Sequence, residues 1–346
     1  MSPDVFATCP KVELHLHLEG AIPLETLWDI IQGHGGDPDV ATLDQLRRRF
    51  AYTDFPHFID IWWWMTGHLR TSAHFTAAAE AVARNLADQN IVYAEASFSP
   101  TDFARHGLTP QQLALAIRTG LDRVPEVKVT LICDLVRDTG PERAMETLEA
   151  VIELADDAGV GGITIGGSEH RFPPEPFAAV YRRAAAAGLR RTAHAGEAAG
   201  PASVWGALRS LGVERIGHGV RSVEDPALVA RLVEHRVPLE VCPTSNLRTG
   251  VAAGWDHHPV GELLAAGAAV TINTDDPALF HCDLAGELRQ MWERYGAQAD
   301  PRSLTATAID ASWLGDAEKA ALHRRVASWW DGSTEAAAQT GLDQTG

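Results

Sequence analysis

The feature that most constrains this chain is a repeated alternation of short β-branched or apolar runs with Ala/Leu/Arg-rich stretches of helical spacing. The runs read Val12–His17, Ile91–Phe98, Val127–Val136, Gly162–Ile165, Arg190–His194, Arg215–His218, Pro238–Cys242 and Ala269–Asn273. Among the stretches between them are Pro141–Ala158, Pro174–Gly188, Pro201–Gly212, Asp225–Glu234 and Pro259–Gly267. Strand, helix and strand make a βαβ unit, and a succession of such units builds a parallel sheet. Eight strand candidates predict closure into an α/β fold, a TIM-type (β/α)8 barrel, before an open sheet. Several helical stretches stop at a glycine (Gly159, Gly188, Gly212, Gly267), where a left-handed C-cap belongs.

A plain barrel needs only about 250 residues, and this chain has 346. Part of the surplus is an insertion from Leu18 to Asn90, too long for one crossover helix. The rest follows Asp283 and reads as extra helices, among them Leu284–Tyr295 and Ala317–Trp330. Residues 1–330 are thus expected to form one barrel domain with the 18–90 insertion, and 331–346, small and polar, a flexible tail. Against 29 Lys and Arg stand 46 Asp and Glu, a formal charge of −17. That field repels phosphates and anionic membrane surfaces, so neither nucleic acid nor membrane is an expected partner. No apolar run approaches the ~18–20 residues of a membrane span, and no secretory signal is visible at the N-terminus. Cys9, Cys133, Cys242 and Cys282 form no C-x-x-C pair and read as free thiols of a reducing compartment. A cytoplasmic protein, monomer or homodimer, is expected.

The chemistry collects at the predicted strand ends. His15 and His17 are two apart on the first strand and project from the same face. H-x-H alone is a weak signal in a chain with 15 histidines. Three further segments fall at the same edge: His194-Ala195-Gly196-Glu197 after strand five, Gly217-His218-Gly219 after strand six, and Asn273-Thr274-Asp275-Asp276-Pro277 after strand eight. Each has an ordinary reading, such as a helix cap for Asp276 or a satisfied core histidine for His218. Barrel strands open their C-terminal ends onto one mouth, where catalytic residues gather. Three imidazole nitrogens and one carboxylate suit Zn²⁺, which lowers the pKa of bound water to ~7. Glu197 and His218 then remain for acid/base work, and Asp276 adds a second carboxylate facing the substrate.

With PKVELHLHLEGAI, HAGE, RIGHG, VCPTSN and INTDDP in this order from Pro10 to about Phe280, and GGITIGGSE more loosely, the sequence resembles the adenosine deaminase family of the amidohydrolase superfamily. The resemblance implies one zinc ion per chain on His15, His17, His194 and Asp275. It implies that Glu197 protonates purine N1, that His218 orients the attacking hydroxide, that Asp276 bonds N7, and that the Gly167 N–H meets N3. The expected reaction is hydrolytic deamination of a 6-aminopurine nucleoside to the 6-oxopurine plus ammonia. The zinc deaminases of nucleic acids carry H-x-E with P-C-x-x-C instead. A binuclear relative with a bridging lysine is disfavoured, because no Lys occurs between Lys128 and Lys319.

Several positions depart from the adenosine-specific pattern. Glu19 stands where Asp is usual and would face the ribose 5′ side; its other reading is a cap on an Ile22–Gln32 helix. Ser97 replaces an Arg, and Thr164 and Ser168 replace acidic residues. Within the insertion, Phe58, Ile59 and Trp62 share a helical face. By resemblance they form an apolar lid over the ribose and, with His17, line the substrate site; packing on the barrel or at a dimer contact is the alternative. The departures point to a small-molecule nucleoside, adenosine or a 5′-substituted adenosine such as aminodeoxyfutalosine of menaquinone synthesis or methylthioadenosine. Adenine deaminase, acting on the free base, is the competing activity. A catalytically inactive binding relative is disfavoured, since every implied ligand and acid/base group is present.

Overall fold

The computed structural model describes the backbone of residues 3–51 and 55–342. Its strands are β1 (Lys11–His17), β2 (Ile91–Phe98), β3 (Lys128–Asp134), β4 (Val160–Thr164), β5 in two pieces (Arg190–Arg191 and His194–Ala195), β6 (Ile216–His218), β7 (Leu239–Val241) and β8 (Val270–Ile272). Each pairs in parallel with its sequence neighbour. The two pieces of β5 are one strand: Thr192 N–H and His194 N–H donate to Ile163 O and Ile165 O on one side, and Gly217 N–H donates to Ala193 O on the other. All of β2 is buried, as befits a strand covered on both faces.

The seam between β8 and β1 closes the barrel. Asp275 N–H donates to His15 O (3.1 Å) and His17 N–H to Asp275 O (2.8 Å). Deeper in the seam side chains complete the ladder: Asn273 Oδ1 accepts from Leu14 N–H and Glu13 Oε1 from Thr274 N–H, each at 2.8 Å. The result is the expected (β/α)8 barrel. Gly159, Gly188, Gly212 and Gly267 all adopt positive φ, 61–82°, at the helix ends where only glycine turns left without strain.

The insertion supplies helices Leu24–Gly33, Leu43–Arg49, Phe55–Thr66 and Ser72–Asp88. Thr42 and Gln45 form a capping box, and Thr71 caps the last of these helices. The cap expected of Glu19 is not made. The helix starts at Leu24 rather than Ile22, its N-cap is Pro23 without a side-chain bond, and Glu19 lies buried in a preceding 3-10 turn. On Phe55–Thr66 the buried stripe is Phe58, Ile61 and Met65, while Ile59 and Trp62 flank it partly buried.

After β8 come Leu284–Tyr295, capped by Asp283, then Pro301–Ala311 and Asp316–Leu342. This last helix runs past Trp330 and across the boundary expected at Asp331, since its alanine-rich continuation keeps high helix propensity; 343–346 lie outside the described residues. The C-terminal helices plug the barrel's N-terminal end, where Ile309, Leu314, Val326 and Trp330 pack on Cys9, Val12, Leu14, Val92 and Tyr93. All four cysteines are free thiols. Among the described residues no helix is long and apolar enough to cross a membrane.

Candidate active site

Strand alternation sends His15 and His17 into the mouth, with Leu14 and Leu16 on the opposite, fully packed side. The ends of β5, β6 and β8 add His194, His218 and Asp275. His218 (φ 60°) and Asp275 (φ 66°) occupy left-handed backbone, a conformation that costs about 1–3 kcal/mol for a residue other than glycine and concentrates at functional sites. Two glycines make room. A Cβ on Gly217 would lie 2.9 Å from His15 Cε1, and one on Gly20 would overlap the Asp276 carboxylate.

One nitrogen or oxygen from each of His15, His17, His194 and Asp275 converges so that all four atoms lie within 4.8 Å of one another. His17 Nδ1 is 2.9 Å and His15 Nε2 3.5 Å from Asp275 Oδ1, and the His17 and His194 rings stack at 5.3 Å. Buried His15 Nε2 and Asp275 Oδ1 nonetheless have no directed hydrogen bond. Buried polar atoms without partners are costly, and a divalent cation satisfies this donor set: three imidazoles and a carboxylate are a zinc-type combination. Burial alone would raise the Asp275 carboxyl; the His17 charge and the close approach of the His15 and His17 rings hold it well below the usual range.

The cluster is braced from outside. Glu240 Oε2 accepts from His15 Nδ1 at 2.9 Å, which turns Nε2 toward the cluster. Arg215 holds Glu240 Oε1 at 2.6 Å and Glu95 Oε2 at 2.5 Å, with both partners and itself about 1% exposed or less. Ser245 Oγ donates to Asp275 Oδ2 at 2.7 Å. Asn246 Nδ2 contacts His218 Nδ1 at 3.2 Å. With Asn246 donating, a neutral His218 carries its proton on Nε2, 3.6 Å from Glu197 Oε2. Burial, above all, lowers the His218 pKa to about 3. Burial, aided by the charges of Asp275 and Glu169, pushes Glu197 up to about 8. Near neutrality the pair is therefore a neutral imidazole beside a protonated carboxyl. Asp276, next to the cluster, lies 3.3 Å from His17 Nδ1.

Gly167 sits exposed at the β4 exit with φ 92°. Glu19 is 1% exposed; its Oε1 accepts from Ser99 N–H at 3.0 Å, while Oε2 has no partner. Burial pushes its carboxyl up to about 7. Trp62 meets the His17 ring edge-on at 6.4 Å, and Phe58 stacks on Phe280 at 5.2 Å. Ile59 packs partly buried against the core. Ser97 Oγ donates to Leu16 O at 3.3 Å, and the ion pairs below the cluster run through Arg215 instead. Motif reading left Arg215, Glu240, Ser245, Asn246 and Glu169 without roles. All but Glu240 lie inside the RIGHG, VCPTSN and GGSE strings, and Glu240 directly precedes VCPTSN; the signal was there, but their partners are distant in sequence.

A parallel barrel whose mouth gathers these groups defines a hydrolase of the amidohydrolase type, acting on C–N bonds. The chain belongs to the adenosine deaminase family: the family model described as "Adenosine deaminase" matches residues 10–329. It is 37% identical over 317 residues to an aminodeoxyfutalosine deaminase of Streptomyces avermitilis, covering 88% of each chain. Among solved structures it resembles an adenine deaminase from Arthrobacter aurescens (TM-score 0.86, 33% identity, 94% of this chain and 100% of that one). It also resembles an amidohydrolase from Burkholderia ambifaria with bound Zn (TM-score 0.83, 29% identity, 97% and 94%). The chemistry is accordingly deamination of the adenine or adenosine type.

Proposed function

We propose that the protein hydrolytically deaminates a 6-aminopurine nucleoside, adenosine or a 5′-substituted adenosine, using one zinc ion per chain. The observation that carries this is the convergence of His15, His17, His194 and Asp275 beside a protonated Glu197 and a neutral His218. His15, His17, His194 and Asp275 would hold the zinc, which when bound supplies a water activated at neutral pH. Glu197 gives its proton to purine N1, which removes electron density from the ring and readies C6 for attack. His218, fixed by Asn246 and carrying its proton on Nε2, orients the water; of that water's two protons, one leaves with the amino group and the other restores Glu197. Asp276, whose carboxyl burial raises above its ordinary value, donates to N7, and the Gly167 N–H donates to N3. The 6-oxopurine and ammonia leave.

The Phe55–Thr66 helix serves as the lid, with Phe58, Ile59 and Trp62 covering the ribose and Glu19 set toward the 5′ side. The barrel, residues 1–330, works as one unit, a monomer or homodimer in the cytoplasm, a setting that its free thiols support. A second activity, on free adenine, is favoured by one feature: Glu19 is 1% exposed, with Oε1 taken by Ser99 N–H, and presents little surface to a ribose. Ammonia release from adenosine, adenine and 5′-substituted adenosines separates the two. Turnover confined to adenine refutes the nucleoside reading, and no release from any 6-aminopurine by the zinc-loaded protein refutes both.

A further inference from the structure

We infer that Glu169 is a positioning residue for the acid Glu197, acting through the backbone of the turn that carries it; this rests on the proposed role of Glu197. Glu169 follows β4, and its carboxylate crosses to the turn after β5. Oε1 accepts from Gly196 N–H (2.6 Å), and Oε2 accepts from Glu197 N–H (3.1 Å) and Ala199 N–H (2.9 Å). Gly196 adopts φ 73°, which lets the N–H groups of the turn point inward together. Successive N–H groups so arranged form an anion-binding concavity, and here the anion is a side chain of the same protein.

The position is an expensive one for a carboxylate. Glu169 is 3% exposed, and the Glu197 that its turn carries also feels the Asp275 charge. A turn that needed only to be folded could be satisfied by a neutral acceptor. A charged acceptor with two oxygens takes three N–H groups at once, one of them belonging to the residue that delivers the proton. Arg137 completes the brace from the other side: fully buried, it donates to Ile165 O, Gly166 O and Phe172 O around the Glu169 segment and to His194 O of β5. The two segments are therefore latched at both ends, and Glu197 reaches the site from a fixed backbone.

Misplacing a reacting group by about 1 Å can reduce turnover ~10²-fold. Glu169→Gln loses one acceptor and turns an N–H₂ toward a backbone N–H. On 6-aminopurine substrates its kcat should fall roughly 10- to 100-fold, with KM within about threefold and zinc content unchanged. In Glu169→Ala, added formate should occupy the N–H concavity and restore part of kcat, while formamide should not. A Gln variant with kcat within twofold of wild type overturns the inference, as does a loss of kcat that merely tracks lost zinc or lost fold. An Ala variant that stays folded and gains nothing from formate also overturns it. Failure here is distinguishable from failure of the functional proposal: a wild-type protein silent on every 6-aminopurine sinks that proposal, whereas an active wild type with an indifferent Glu169→Gln sinks only this one.

Discussion

Glu197 and Glu240 are both buried carboxyls, yet their surroundings send their protons opposite ways. At Glu197 burial, with the charges of Asp275 and Glu169, outweighs the lowering by His15 and His17 and pushes the carboxyl up to about 8. Burial would raise Glu240 too, but Arg215 and His15 outweigh it and hold the group below its ordinary value. One carboxyl is left to give a proton and the other to keep a negative charge behind an imidazole. Glu197→Gln should lower kcat by ~10²–10⁴-fold, the usual worth of a positioned proton donor, and leave zinc content intact; metal analysis beside steady-state kinetics checks it. Glu240→Gln should weaken zinc retention ~10- to 100-fold, because partners that orient a metal-bound histidine carry about that much affinity. Competition with a chelator measures it. The residues that converge in the cluster were legible as motifs, since H-x-H, HAGE and TDDP fall at strand ends. The braces were less so: Arg215 finds Glu95 120 residues away, a distance that no local spacing rule spans.

Among elements, the crossover units were the most readable, because a buried strand needs consecutive apolar residues and a helix leaving it needs a left-handed stop. Boundaries shifted where backbone geometry intervened. β3 ends at Asp134 rather than Val136, whose φ of 44° already turns the chain. The insertion was legible as helical, but its buried face was not, since Phe58, Ile59 and Trp62 compete with Phe58, Ile61 and Met65 for the same register. Glu19 read equally well as a cap or a site residue, and only the position of Pro23 decides against the cap. On the lid proposal, Trp62→Ala removes the ring that meets His17 edge-on. KM should rise about tenfold, in line with the 1.5–3 kcal/mol of a buried large side chain, with a smaller change in kcat. Equal losses in kcat and unchanged KM would speak for a packing role instead.

For the whole molecule, stability should depend on pH through a buried acid outside the ligand cluster. Glu287 is 1% exposed, and its carboxyl is pushed up to about 7 by burial, against a bond from Thr244 N–H. A folded pKa above the unfolded value of about 4.5 means that the folded state holds the extra proton. The stabilisation is complete below pH 4.5 and lost as pH rises through 7. Glu287→Gln, which stays neutral throughout, should therefore gain on the wild type as pH climbs from 5 to 8; paired melting curves at several pH values would show it. A constant difference across that range would exclude the buried proton.

The barrel's seam has a consequence for how the protein comes into being. His15 and His17 are synthesised long before Asp275, and the backbone of Asp275 is what bonds β8 to β1. Until that last strand docks, the early histidines face an open edge with neither the carboxylate nor the ring closure that would hold a cation among them. On the zinc proposal, metal capture would wait for the seam to close, and the order of synthesis would keep the unfinished barrel from hydrolytic chemistry.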